Sequence, residues 1–453
     1  MQSINPATGE IIRAYRPHTD EEAARRVEKA HACFAKWKTV PFSDRAEKMR
    51  AAAAVLRKRK HEFALLMTEE MGKLIGAGEA EIEKCALVCD YYAENAENFL
   101  ADKPVKTEAR QSFITYQPLG VILAIMPWNF PFWQVFRFAA PHLMAGNVGV
   151  LKHASNVCGC ALAIEEVFRE AGFPEGCFTT LLIGGEAAGR LIEHPHIRAV
   201  TLTGSNAAGE AVAAKAGKCL KKTVLELGGS DAYVVLADAD VGAAAVECAK
   251  GRLINAGQSC IAAKRFIVME TLRPEFEKHL LDYFRTIKSG DPKNNQTQLG
   301  PLARRDLRDT LHEQVQKSIA KGAQLLLGGA VPSGPGAFYP VTVLSDVRPG
   351  MPAFDEELFG PVAAVISAAN EDEAFELANA SPFGLGGAIF TSDIARAEKL
   401  AKTRLDAGQV FVNAFVRSDP RLPFGGIKSS GYGRELSTLG IKEFVNAKTV
   451  YIA

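Results

Sequence analysis

From residue 19 to residue 100 apolar side chains recur at helical spacing, first in DEEAARRVEKAHACFAKW, then in SDRAEKMRAAAAVLRKRKHEFALLM and GEAEIEKCALVCDYYAENAENFL. This predicts a helical layer, with Ser43 as the N-cap of its second member. No pattern that carries chemistry falls there. At Val121 the period changes, and the short apolar runs VILAIM, VGVLK, FTTLLI, RAVTLT and TVLEL alternate with helix-like stretches. Such alternation predicts a parallel sheet covered by helices. After Gly228 and Gly229 a second set follows: a helix over 241–255, the strand KRFIVME, a helix over 274–287, and the strands PVAAVIS, GGAIFT and GQVFVN. The fold class is therefore α/β, with two lobes and a cleft that ligands enter at the strand C-termini. Segments 107–118 and 445–453 alternate polar with apolar residues outside both units, as an edge ribbon or a subunit contact would.

Composition narrows the function classes. A chain of 453 residues needs more than one core, and 53 Lys plus Arg against 52 Asp plus Glu leave a net charge of +1 with no long run of one sign. Nucleic acid and membrane surfaces are not expected partners. The N-terminus lacks a secretory pattern, and no apolar stretch reaches the ~18–20 residues of a membrane span. Nine scattered cysteines do not form a disulfide framework, so a reducing cytoplasm is expected. The pairs Cys85/Cys89 and Cys158/Cys160 lack further ligands at zinc spacing, and no metal is expected.

Three segments carry candidate chemistry. In AGQSCIAAKRF, Cys260 opens an element after a Gly-Gln-Ser turn, where local amides would lower a thiol pKa; a structural cysteine satisfies the same pattern. In VLELGGSD, Glu226 ends an apolar strand, either as a proton-transfer carboxylate with a raised pKa or as a salt-bridged structural one. In IMPWNFPFW, two prolines hold Asn129, which can donate to an oxyanion or cap the following helix. Lys152 ends the strand VGVLK with Ser155 nearby, and Gly204 and Ser205 open the helix after TLTGS, so that ribose and pyrophosphate contacts are available to a nucleotide. The Gly-rich turn departs from the usual dinucleotide spacing.

Taken in order, PWNFP (127–131), LK with Ser155, TGSNAAG (203–209), ELGG (226–229), GQSC (257–260), EELFGPV (356–362) and Asn413 followed by PFGGIKSSGYGRE (423–435) resemble the aldehyde dehydrogenase superfamily along nearly the whole chain. The resemblance implies two Rossmann-like lobes with parallel sheets and a small β oligomerisation ribbon. Its domains would be 1–106 with 121–227 for the cofactor, 228–420 for catalysis, and 107–120 with 436–453 for assembly as a homodimer or homotetramer. It implies Cys260 as nucleophile, Glu226 as general base, and Asn129 with the Cys260 N–H as oxyanion hole. Glu357 would hold the nicotinamide ribose with Phe359 beside it, Lys152 the adenine ribose, and Trp128, Gly185 and Ser205 would line the same groove. Ser155 stands where strictly NAD-using relatives commonly carry Glu. Ser with Lys152 can donate to a 2′-phosphate that Glu would repel, so NADP is the expected cofactor, with NAD accepted.

For the small aldehyde substrate, Arg137 lies one helical turn from Trp133 inside an apolar run and needs an anion. The anion is either a structural carboxylate or the far end of an acidic substrate. The position is similar to the carboxylate-binding arginine of succinate-semialdehyde dehydrogenases, and Ser418, with Arg417 as a further candidate, lies in the other loop facing the tunnel. The start at INPATGE resembles the short form of that group. Oxidation of succinate semialdehyde to succinate is thus expected, with glutarate semialdehyde or a broad aldehyde range as alternatives. A CoA-acylating enzyme is opposed by Glu226, since it has no need of a base for water.

Overall fold

The computed structural model describes residues 1–453. Four helices, Asp20–Trp37, Phe42–Lys58, Lys60–Met71 and Ile75–Phe99, form the expected layer. The second of them starts at Phe42 after Pro41 and has no side-chain cap, and the Ser43 hydroxyl donates to Asp44 at 2.8 Å instead. Proline at the entrance already fixes the backbone direction there and leaves the serine inside the first turn.

Beneath this layer lies a six-stranded sheet. Its strands run in the order Gly431–Tyr432, Lys222–Glu226, Ile197–Thr203, Val121–Met126, Val148–His153 and Phe178–Leu181, all parallel except the first. A second sheet has seven strands, in the order Gln324–Leu327, Thr342–Ser345, Val362–Ala368, Ala263–Met269, Asp231–Val235, Gly386–Phe390 and Gln409–Val412. Only the first of these is antiparallel to its neighbour. Asp231–Val235, at the interior of this sheet, is not among the strands predicted from the hydrophobic pattern. The helix predicted over 241–255 stops at Leu253, and Asn255 and Ala256 take left-handed conformations with φ of 52° and 54° before the cysteine loop.

Segment Gln111–Pro118 pairs antiparallel with Val445–Ile452 along its whole length and with Lys103–Pro104 on its other side, forming a three-stranded ribbon separate from both large sheets. No helix is long and apolar enough to cross a membrane.

Candidate active site

Because five strands of the first sheet are parallel, their C-terminal ends share one edge, and the strand order arranges the candidate residues along it. Moving across the sheet, one meets Glu226, then Gly204 and Ser205, then the loop of Trp128 and Asn129, then Lys152 and Ser155, then Gly185. Residues distant in sequence thus become a single row facing the second lobe, as expected where parallel strands end in a crevice. Gly185 opens the helix Gly185–Glu193, and Ser205 caps the helix Asn206–Lys218 by accepting from the Ala208 N–H at 3.4 Å. Lys152 makes no hydrogen bond or ion pair, and burial lowers its pKa.

The loop carrying Asn129 is held from three directions. His153, pushed by burial to a pKa of about 4 and therefore neutral, bonds to the Pro131 carbonyl at 2.9 Å, while its other nitrogen accepts from the Ala154 N–H. Lys73 donates to the Asn129 carbonyl at 3.0 Å, and Asn255 donates to the same oxygen at 2.8 Å. Glu81, ion-paired with Lys73 in the interior, accepts from the Phe132 and Trp133 N–H groups at 2.9 Å each. It satisfies the open N-terminus of the helix Trp133–Met144, which has no side-chain cap of its own. Glu81→Gln strands the Lys73 ammonium in a dry interior, a loss of about 3–5 kcal/mol. A lower thermal midpoint, and a fall in kcat/KM of roughly 10- to 100-fold shared by all aldehydes, are the expected results.

The Asn129 side chain is itself oriented. Its Oδ1 accepts from Gln134 Nε2 at 3.0 Å, and its Nδ2 donates to the Gln258 carbonyl at 3.0 Å. The second amide hydrogen is left for another acceptor. The Cys260 N–H likewise makes no hydrogen bond. These two donors can serve a developing oxyanion beside the Cys260 sulfur.

Cys260 is half-buried and forms part of the wall of two cavities. The first, of about 220 Å³, runs between Trp128, Gly204, Ser205, Leu227, Glu357 and Phe359; the Trp128 and Phe359 rings meet edge to face at 5.8 Å. The second, of about 270 Å³, is bounded by Lys84, Phe130, Trp133, Arg137, Ser418 and Phe424 among others. Lys152, Ser155 and Gly185 lie outside the first cavity, on the continuation of the same sheet edge. Burial pushes the Cys260 thiol up to about 12, against the opposing charges of Arg137 and Lys264. The expectation that local amides would lower it is corrected here, because desolvation outweighs them.

Gly229 stands against this loop, where a Cβ would lie 2.7 Å from the Cys260 carbonyl oxygen. The Gly-Gly turn after Glu226 therefore lets the two segments touch. Lys264, fully buried, donates to the carbonyls of Ser259, Cys260 and Ala262 at 3.1, 2.8 and 3.3 Å, and lies 3.4 Å from Glu357. Glu357 also accepts from the Gly229 N–H at 3.1 Å. The cysteine loop and the Glu357 carboxylate are thus tied to one ammonium.

Glu226 is buried, and neither of its oxygens has a hydrogen-bond partner. Burial raises its pKa well above the ordinary value, and the neighbouring Glu435 raises it further, while Arg137 and Arg434 pull it back. Glu435 is ion-paired with Arg137, whose guanidinium also covers the Phe424 ring at 4.4 Å. The structure thus gives Arg137 a protein carboxylate as well as a place in the cavity wall. Glu435 lies within the motif GYGRE, yet its proximity to Glu226 was not visible in the sequence. Lys73, Glu81, Lys84 and Lys264 carry no signal in the sequence, since the last three sit in stretches whose spacing reads only as helix or strand and Lys73 in a short turn between two helices.

A half-buried thiol between two cavities, an orphaned carboxylate and two free N–H donors are the groups that oxidation of an aldehyde through a thioester requires. The chain belongs to the aldehyde dehydrogenase family, whose model matches residues 1–450. A Synechocystis protein named probable succinate-semialdehyde dehydrogenase (NADP+) is 53% identical over the full length of both chains. Succinate-semialdehyde dehydrogenase (NADP+) 1 of Mycobacterium tuberculosis is 49% identical, again over the full length of both. Among solved structures, succinic semialdehyde dehydrogenase from Streptococcus pyogenes in complex with NADP+ superposes with a TM-score of 0.97 at 40% identity, covering 100% of this chain and 99% of that one.

Proposed function

We propose that the protein oxidises succinate semialdehyde to succinate with NADP as acceptor, in the cytoplasm and as a homo-oligomer joined through the exposed ribbon of Gln111–Pro118 and Val445–Ile452. The observation that carries the substrate reading is the small cavity beside Cys260, in which cationic side chains face an otherwise mostly apolar wall. A short aldehyde with a distal carboxylate matches that distribution. The identities with named relatives support the same reading.

In this scheme the Cys260 thiol passes its proton to bulk water, and its sulfur bonds to the aldehyde carbon. The oxyanion of the resulting thiohemiacetal accepts from Asn129 Nδ2 and the Cys260 N–H. NADP, when bound, supplies the hydride acceptor. Trp128, Gly204, Ser205, Glu357 and Phe359 would hold its nicotinamide end, and Lys152, Ser155 and Gly185 the adenosine end, where the unpaired Lys152 ammonium suits a 2′-phosphate. Loss of hydride from the aldehyde carbon leaves a thioester on Cys260. Glu226 then takes a proton from water as the water oxygen attacks the acyl carbon, the carbon–sulfur bond breaks, the leaving sulfur takes the proton held by Glu226, and succinate leaves as its new carboxyl group ionises. Trp133, Arg137 and Ser418 bound the substrate end.

The test is a panel of succinate semialdehyde, glutarate semialdehyde and uncharged aldehydes with both cofactors. The highest kcat/KM is expected for succinate semialdehyde with NADP. Ser155→Glu is expected to shift the NADP to NAD preference by roughly 10- to 100-fold toward NAD, because a carboxylate repels the 2′-phosphate and accepts from free ribose hydroxyls. An unchanged ratio would place Ser155 outside the cofactor contact.

A further inference from the structure

Four cations bound the cavity beside Cys260, and they are not equivalent. Lys73 is buried and ion-paired with Glu81. Arg137 is ion-paired with Glu435 and lies against Phe424. Arg417 is exposed, so water screens its charge. Lys84, on the helix Ile75–Phe99, is half-buried and forms no ion pair. Its single hydrogen bond goes to Ser418 Oγ at 2.7 Å, and its ammonium lies 4.3 Å from the centre of the Trp133 ring.

The charged and titratable groups around Lys84 are Glu81 and Cys85 on its own helix, Arg137 on the helix Trp133–Met144, and Asp419 on the loop beyond Ser418. Neither carboxylate is free, since Glu81 is committed to Lys73 and Asp419 to Arg421, which it meets at 2.6 Å. Burial and the charge of Arg137 draw the Lys84 pKa down to about 8. A partly desolvated ammonium with no anion in reach is costly to maintain, and a carboxylate entering the cavity would relieve that cost.

We propose that Lys84 and Ser418 are the pair that receives the distal carboxylate of the substrate while its aldehyde carbon lies at Cys260. The proposal rests on the substrate being an anionic semialdehyde. Ser418 accepts from Lys84, which leaves its own O–H free to donate to a carboxylate oxygen, and the ammonium keeps further N–H groups for the other oxygen. The Trp133 face beneath the ammonium fixes its position. Arg137, its Nε engaged by Glu435, adds its positive field at the same cavity wall.

The experiment is the ratio of kcat/KM for succinate semialdehyde to that for butanal, followed from about pH 6.5 to about pH 9.5 in the wild type, Lys84→Met and Lys84→Arg. Butanal has the same chain length without the charge, so dividing by it removes the ionisations of Cys260 and Glu226. The wild-type ratio is expected to be high at low pH and to fall as the pH passes about 8, where free Lys84 loses its proton. Lys84→Met is expected to lower the ratio roughly 10- to 100-fold and flatten its pH dependence. Lys84→Arg should keep the ratio high and flat, because a guanidinium does not titrate there. A high wild-type ratio that is flat in pH, or a Lys84→Met variant that loses both aldehydes equally, overturns the assignment and leaves an arginine as the anchor. A wild-type ratio near unity at every pH removes the semialdehyde reading itself, and this one with it. Should the methionine variant fail to fold, the wild-type profile and the arginine variant decide.

Discussion

Replacing Cys260 by alanine is expected to lower aldehyde oxidation by at least ~10⁴-fold, with the groove still binding NADP. The size of the effect follows from the surroundings. Cys248 and every other cysteine except Cys219 are buried, none of them lines either cavity, and Cys219 ends the helix Asn206–Lys218, so no second thiol can substitute. Asn129 and the Cys260 N–H can stabilise an oxyanion only once a nucleophile has made one. The check is appearance of reduced cofactor with each aldehyde, beside a direct measurement of NADP affinity. Turnover within tenfold of the wild type would put the chemistry elsewhere.

Glu226→Gln is expected to separate the two halves of the reaction. Hydride loss leaves a thioester, and without a base the attack of water slows by roughly 10²- to 10⁴-fold. A burst of reduced cofactor equal to the enzyme concentration should therefore precede a slow steady state, and the intact protein should carry the mass of the acyl group. The raised pKa of the Cys260 thiol gives this experiment a second use. A thiol so reluctant to ionise needs a proton acceptor of its own. If the burst itself disappears, Glu226 is that acceptor as well as the base for water.

The motifs made much of this site legible, because each couples a chemical group to a turn that only a few residues permit. Glu226 precedes two glycines, and the structure explains the second by the close approach of the Cys260 carbonyl. Asn129 lies between prolines. What the sequence concealed was pairing across long separations. Arg137 needs an anion, yet nothing local distinguishes a substrate from Glu435. Lys84 follows the polar spacing of an ordinary amphipathic helix, and only the packing of Ile75–Phe99 against Trp133–Met144 turns it toward the cavity. The strand Asp231–Val235 has no clear signature in the sequence because it starts with a charged residue one position after the Gly-Gly turn. Asp231 is buried there and accepts from the Gly386 N–H at 3.0 Å. Ala256, with its left-handed backbone, carries no compositional sign of the kink that ends the preceding helix.

The strand Gly431–Tyr432 lies antiparallel beside Lys222–Glu226, with Gly431 opposite Glu226 itself. Ser430 beside it donates to the Gly228 carbonyl at 2.7 Å, and Glu435 follows within the same segment. One short segment thus supplies both the closing edge of the sheet beside Glu226 and the carboxylate that faces Arg137, so that loosening its strand pairing would disturb the surroundings of Glu226 and the cavity wall together.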